Sequence, residues 1–167
     1  MKNKLLTLVL IAASMFAYSC GESNSSSVEV EVEAIVGEWV SEGASNVAVG
    51  LQALTKTARI DADFEENGTY NVVSTDSAGA QVTFTGTYSL GEGEAGEIRT
   101  ITLTQATPTS LTSAGIFQIQ GNTMTYEVIQ TEPNIGAEAP TVEGGFGSTL
   151  VGGSSNGTIW VQGFARQ

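Results

Sequence analysis

The fold is decided between Ala58 and Leu90, where the chain reads ARIDADFEENGTYNVVSTDSAGAQVTFTGTYSL. Ile60, Ala62 and Phe64 alternate with Arg59, Asp61 and Asp63. After Glu65-Glu66-Asn67-Gly68 the alternation returns at Tyr70 and Val72. After Asp76-Ser77-Ala78-Gly79-Ala80 it returns again, with Val82, Phe84 and Tyr88 set against Thr83, Thr85 and Thr87. Successive side chains of a strand point to opposite faces, so this is three strands in a row, each with one apolar and one wet side. Asn67-Gly68 predicts a tight primed hairpin turn, because both residues tolerate positive φ. The connections are too short for a crossover helix, so the strands are antiparallel neighbours.

The same reading extends outward. Ile35–Val40 is a first strand, and Glu97–Gln105 alternates with Ile101 and Leu103 facing the core. Gly115–Gln120 and Thr123–Gln130 flank a two-residue turn at Gly121-Asn122, and Gly157–Arg166 reads as a last strand with Trp160 and Phe164 on one face. Between the first and second strands, Ser45 is placed to cap one or two helical turns with Val47, Leu51 and Leu54 on one side, or the segment is irregular with three buried anchors. Ala106–Ser113, with Pro108 and several hydroxyls, reads as a loop. Thr131–Asn156 resists a regular assignment; Phe146 and Leu150-Val151 are its apolar anchors. The count is eight strands with hairpin or loop connections. Eight is the number at which an antiparallel up-and-down β-barrel closes around side chains or one small ligand, and closure removes exposed edges. A two-sheet β-sandwich is the rival.

The 167 residues carry a formal charge of −12, with 6 Lys and Arg against 18 Asp and Glu. Lys2 and Lys4 lie in a leader, so its removal makes the chain two units more negative. Such a surface repels phosphate backbones and excludes nucleic acid as a partner. There is no His, and Cys20 is the single Cys. Serine–histidine and cysteine–histidine catalysis, histidine zinc sites and intrachain disulfides are thereby removed, and the chain reads as a non-enzyme without cofactor or metal. Asp61, Asp63 and Glu65 share one strand face, but strand spacing holds them about 7 Å apart, too far for one ion. They read as a solvated outer face.

Met1–Lys4 is short and basic, Leu5–Ala13 is apolar, and small residues follow, which is the pattern of a secretory signal peptide over residues 1–19. It ends Ala17-Tyr18-Ser19-Cys20. This segment resembles a bacterial lipobox, although Ala17 and Tyr18 stand where the usual pattern has Leu and a small residue. The resemblance implies cleavage before Cys20 and attachment there of a lipid bearing palmitate-type chains; the alternative is an ordinary leader with an incidental Cys. Residues 20–34 then read as lipid anchor and flexible tether, and 35–167 as the folded domain. The expected location is the cell envelope, at the outer membrane of a Gram-negative bacterium.

Gly37-Glu38-Trp39 on the first strand, followed by a long loop, and the turn phrases NGTY (67–70), GTYSL (86–90) and GNTMTY (121–126) together resemble lipocalins and bacterial lipocalin-like lipoproteins. The family's middle motif, a Thr-Asp pair in a later turn, has no counterpart. The resemblance implies that Trp39 plugs the closed base of the barrel and that Arg166 packs over it. It also implies non-covalent binding of a small, largely apolar ligand at the barrel mouth. The wall residues expected to meet that ligand are Phe64, Tyr70, Phe84, Tyr88, Phe117, Tyr126 and Trp160, within an inward row that also holds Ile60, Val72, Ile101, Leu103, Met124 and Phe164. The phenols are the polar handles, since a buried hydroxyl needs a partner. The competing reading is a filled barrel acting as a structural or protein-interaction module, its row simply a packed core.

Overall fold

The alternation read between residues 58 and 90 becomes three paired strands in the computed structural model, which describes residues 34–167. In chain order the elements are β1 (Gly37–Glu42), α1 (Val49–Thr55), β2 (Thr57–Phe64), β3 (Thr69–Asp76), β4 (Gln81–Leu90), β5 (Arg99–Thr107), β6 (Leu111–Gln120) and β7 (Thr123–Glu132). There follow β8 (Ala137–Glu138), β9 (Leu150–Val151), β10 (Ser154–Ser155), a turn of 3-10 helix (Gly157–Trp160) and β11 (Val161–Arg166). β1 to β7 pair in sequence except across the closure, where β11 lies between β7 and β1. Every pair is antiparallel, so eight strands form a closed up-and-down barrel. β8, β9 and β10 make a separate small sheet.

Closing a sheet on itself requires strong coiling, and particular residues supply it. Register shifts fall between Thr57 and Arg59 in β2, beside Gln105 and Thr107 in β5, and beside Gln130 and Glu132 in β7. Two strand glycines let neighbouring backbones approach. A Cβ on Gly86 would sit 2.1 Å from the Thr104 carbonyl oxygen, and one on Gly115 would sit 2.0 Å from that of Glu127.

The inward alternation builds one core. Ile60, Ala62 and Phe64 from β2, Ile101 and Leu103 from β5, Phe117 and Ile119 from β6, Met124 and Tyr126 from β7 and Phe164 from β11 are all buried. Each large apolar side chain fully removed from water contributes about 1.5–3 kcal/mol before entropy is set against it. Asp61 and Asp63 point outward as expected, and Asp61 is held by Arg59, which also reaches Glu42 at 2.7 Å.

Several sequence expectations are corrected. The turn after β2 is not a two-residue primed turn: Gly68 alone is left-handed, the Gly68 N–H closes on the Glu65 carbonyl, and the Asn67 side chain accepts from the Thr69 N–H and hydroxyl. Ser45 does not cap the helix; Ala48 stands at the N-cap without a side-chain bond, and Leu54 is solvent-exposed while Val47 is buried. The hydroxyl-rich stretch after Pro108 is strand, since Leu111–Ala114 pair with Thr102–Gln105; Thr and Ser suit a strand as well as a loop. Gly157, with φ +63, turns the chain into the 3-10 helix, so the last strand begins at Val161 and Trp160 leaves the inward row. Cys20 and the leader lie outside the described residues.

Candidate functional site

The barrel is sealed at one end and hollow towards the other. At the sealed end Trp39 is fully buried and donates its indole N–H to the Ile35 carbonyl at 2.8 Å. The Arg166 guanidinium lies 4.1 Å from the Trp39 ring centroid and donates to the carbonyls of Val36 and Ala34. Gly37 is required beneath it: φ is +120, and a Cβ would lie 2.9 Å from Arg166 Nη1. Arg166 thus ties the segment before β1 to the last strand through a stacked cation and two carbonyl acceptors.

Above this plug is a cavity of about 390 Å³. Its apolar wall comes from Ile60, Phe64, Val72, Phe84, Leu103 and Phe164, contributed by five strands. Its rim is polar. Thr55, Thr57 and Ser74 hydroxyls are linked at 2.7 and 3.2 Å, and Thr55 also donates to the Leu51 carbonyl, which fastens the end of α1 across the rim. Leu51 turns into the cavity from that helix. Gln105, from β5, donates to the Thr109 carbonyl at 2.8 Å, and Asp76 accepts the N–H groups of Ala78 and Ala80, both at 2.8 Å.

Of the wall residues expected from sequence, Phe64, Tyr70, Phe84 and Tyr126 line this cavity. Tyr88 and Phe117 face inward without reaching it. Tyr88 stacks edge-on to Phe64 with centroids 5.2 Å apart and donates its hydroxyl to the Glu65 carbonyl. Phe117 carries the Arg99 guanidinium 5.7 Å from its centroid. Trp160 lies elsewhere: its ring packs on α1 at Gly50, where a Cβ would stand 2.4 Å from it. Burial pushes the phenol of Tyr126 well above the usual tyrosine range, with the neighbouring Tyr70 adding to the effect, and burial raises Tyr70 as well.

Sequence reasoning missed the polar side chains of the wall. Gln162 is the sharpest case: it stands opposite Tyr126 across β11 and β7, lines the cavity, is 8% exposed, and its Oε1 has no hydrogen-bond partner among the described residues. Its position two residues before Phe164 signals an inward side chain, but an apolar-alternation rule passes over an amide.

The long segment after β7 is anchored on the outside of the barrel. Glu127 is fully buried and accepts the N–H groups of Gly147 at 2.6 Å and Thr149 at 3.3 Å. Its cross-strand neighbour Ile116 is covered completely too.

No protein-family model matches the chain, and no curated protein or solved structure matches it either. What is defined is the class: a small closed antiparallel barrel of eight strands, plugged at one end and hollow above the plug.

Proposed function

We propose that this chain is an exported lipoprotein of the bacterial cell envelope, built on a lipocalin-like barrel, that holds a small, largely apolar molecule non-covalently. The observation that carries the reading is the cavity of about 390 Å³, within the roughly 300–1,000 Å³ range of small-molecule sites. Its wall is mainly apolar with a few placed polar groups, the composition that binds by burial and orients by hydrogen bonding. Trp39 under Arg166, at the end away from α1, supports the lipocalin-like part of the proposal. The filled-barrel alternative needs an interior occupied by side chains, and the hollow above the plug weighs against it. Without His, and with the acids of the described residues on the outer face, in loops or at the rim, the chain is read as a carrier rather than a catalyst.

The export and anchoring part rests on the basic and apolar leader and on Cys20 as the single cysteine. Metabolic labelling with palmitate should mark the wild-type protein and fail on Cys20→Ser; equal labelling of both would sink the anchor. For the cavity, the unit 31–167 holds every strand of the barrel and the Arg166 plug. Titrated with Nile red, an uncharged polarity-sensitive dye, it should show saturable binding at one site. Phe84→Asp, which puts a charge on the wall, should abolish binding in a still-folded protein. A folded barrel that shows no saturable binding removes the carrier reading.

A further inference from the structure

The cavity's polar groups and the placement of the cations together select a ligand class. The described residues carry four cationic side chains, Lys56, Arg59, Arg99 and Arg166, and none lines the cavity. Arg59 is bound to Asp61 and Glu42 on the outer surface, and Arg166 is committed to the plug. Arg99 lies against Phe117 and donates to the Gly91 carbonyl. Lys56 belongs to a different groove, beside Gly43 and Gln52. The ionisable acid in the lining is Asp76, at the rim.

A carboxylate inside this barrel would therefore lose its hydration without meeting a countercharge, and at the mouth it would meet Asp76. Burying an unpaired ion is among the costliest exchanges a protein site can make. A neutral polar end faces no such penalty, and the wall offers it partners. Gln162 and Tyr126 are directly opposed across two strands, so their side chains leave the sheet side by side on its inner face. No hydrogen bond among the described residues holds the Gln162 amide, and its Oε1 is closed off from water. Oε1 as placed does not open onto the hollow, so the amide accepts from a ligand only after rotating about its last torsion, and otherwise donates through Nε2.

Resting on the carrier reading, we propose that the cavity takes a neutral amphiphile, its hydroxyl or amide end bonded to Gln162 beside Tyr126 and its chain along Phe64, Val72 and Phe84, and rejects the corresponding carboxylate. Gln162 is then the specificity-determining residue. Removing it relieves an unsatisfied buried group, so the variant should be at least as stable as wild type while binding its ligand less well.

The test displaces Nile red from the 31–167 barrel with dodecanol and with dodecanoate at about pH 8, where the acid is ionised. Dodecanol should compete at a concentration at least about tenfold lower than dodecanoate. Gln162→Leu, with its own Nile red affinity measured first so that displacement is corrected for it, should weaken dodecanol by about tenfold, the loss of one good hydrogen bond, while the melting temperature holds or rises. Equal displacement by the two compounds, or unchanged dodecanol affinity in Gln162→Leu, overturns this inference and leaves the carrier reading in place. Failure of Nile red itself to bind a folded barrel overturns both.

Discussion

Arg166 joins two parts of the chain that are 130 residues apart in sequence. Its guanidinium stacks on Trp39 and satisfies the carbonyls of Val36 and Ala34. Replacing it by Ala removes a sheltered cation–π contact and two charge-assisted hydrogen bonds, so Arg166→Ala should cost about 2–3 kcal/mol in urea denaturation. Lys keeps the charge but lacks the planar fork, and Arg166→Lys should restore only part of the loss. Tyr126 links stability to alkaline pH. Its folded pKa lies above the unfolded value of 10.0, so the unfolded chain sheds the proton first as pH rises. The stability it contributes is complete below about pH 10 and falls by roughly 1.4 kcal/mol per pH unit above it. Denaturant midpoints measured between about pH 8 and 11.5 should show this decline, and Tyr126→Phe should flatten it, apart from the smaller share of Tyr70. These residues differ in how far they could be read from the amino acids. Trp39 and Arg166 were legible through the Gly-x-Trp phrase, and Phe64, Tyr70, Phe84 and Tyr126 through alternation. Gln162 was not, because periodicity marks where a side chain points and not whether its hydrogen bonds will be met.

Two elements around the barrel invite direct tests. α1 contains Gly50, a residue that ordinarily weakens a helix by about 1 kcal/mol relative to Ala. Here the Trp160 ring occupies the space a methyl would need. Gly50→Ala should therefore destabilise the protein by about 1–3 kcal/mol despite the better propensity, read as a lower melting temperature. The outer segment between β7 and β11 hangs on Glu127. In Glu127→Ala the Gly147 and Thr149 N–H groups lose their acceptor, and their amide exchange should quicken by about tenfold or more, while barrel amides such as Ile101 keep their protection. Uniform loss of protection would show that Glu127 supports the whole barrel instead. Neither contact was visible in the chain. Trp160 departs from its alternation because Gly157 bends the backbone before it. Glu127 sits on an outward position that sequence pattern assigns to solvent, and only the folding-back of residues 147–149 buries it.

For the molecule as a whole, the eight barrel strands and their antiparallel order were written in periodicity and turn residues, since each is decided between neighbours in sequence; closure was expected from the count of eight, with a two-sheet sandwich as the rival. What escaped prediction depends on contacts between distant segments: the bulges that coil the sheet, the way α1 is fastened to the rim, and the interior space left after packing. The seam between β1 and β11 is of this distant kind, and it sets residues 166–167 beside the segment 34–38. The Gln167 N–H donates to the Glu38 carbonyl at 3.0 Å, while Arg166 reaches Ala34. The order of the strands around the barrel is consequently independent of where the polypeptide starts. A short glycine-rich linker from Gln167 to Ala34, with a new opening cut at Glu94-Ala95 in the exposed loop between β4 and β5, should yield a circular permutant with the same hollow and plug. In that rearranged chain β5 would be made first and β4 last, and the barrel would close at a different pair of strands.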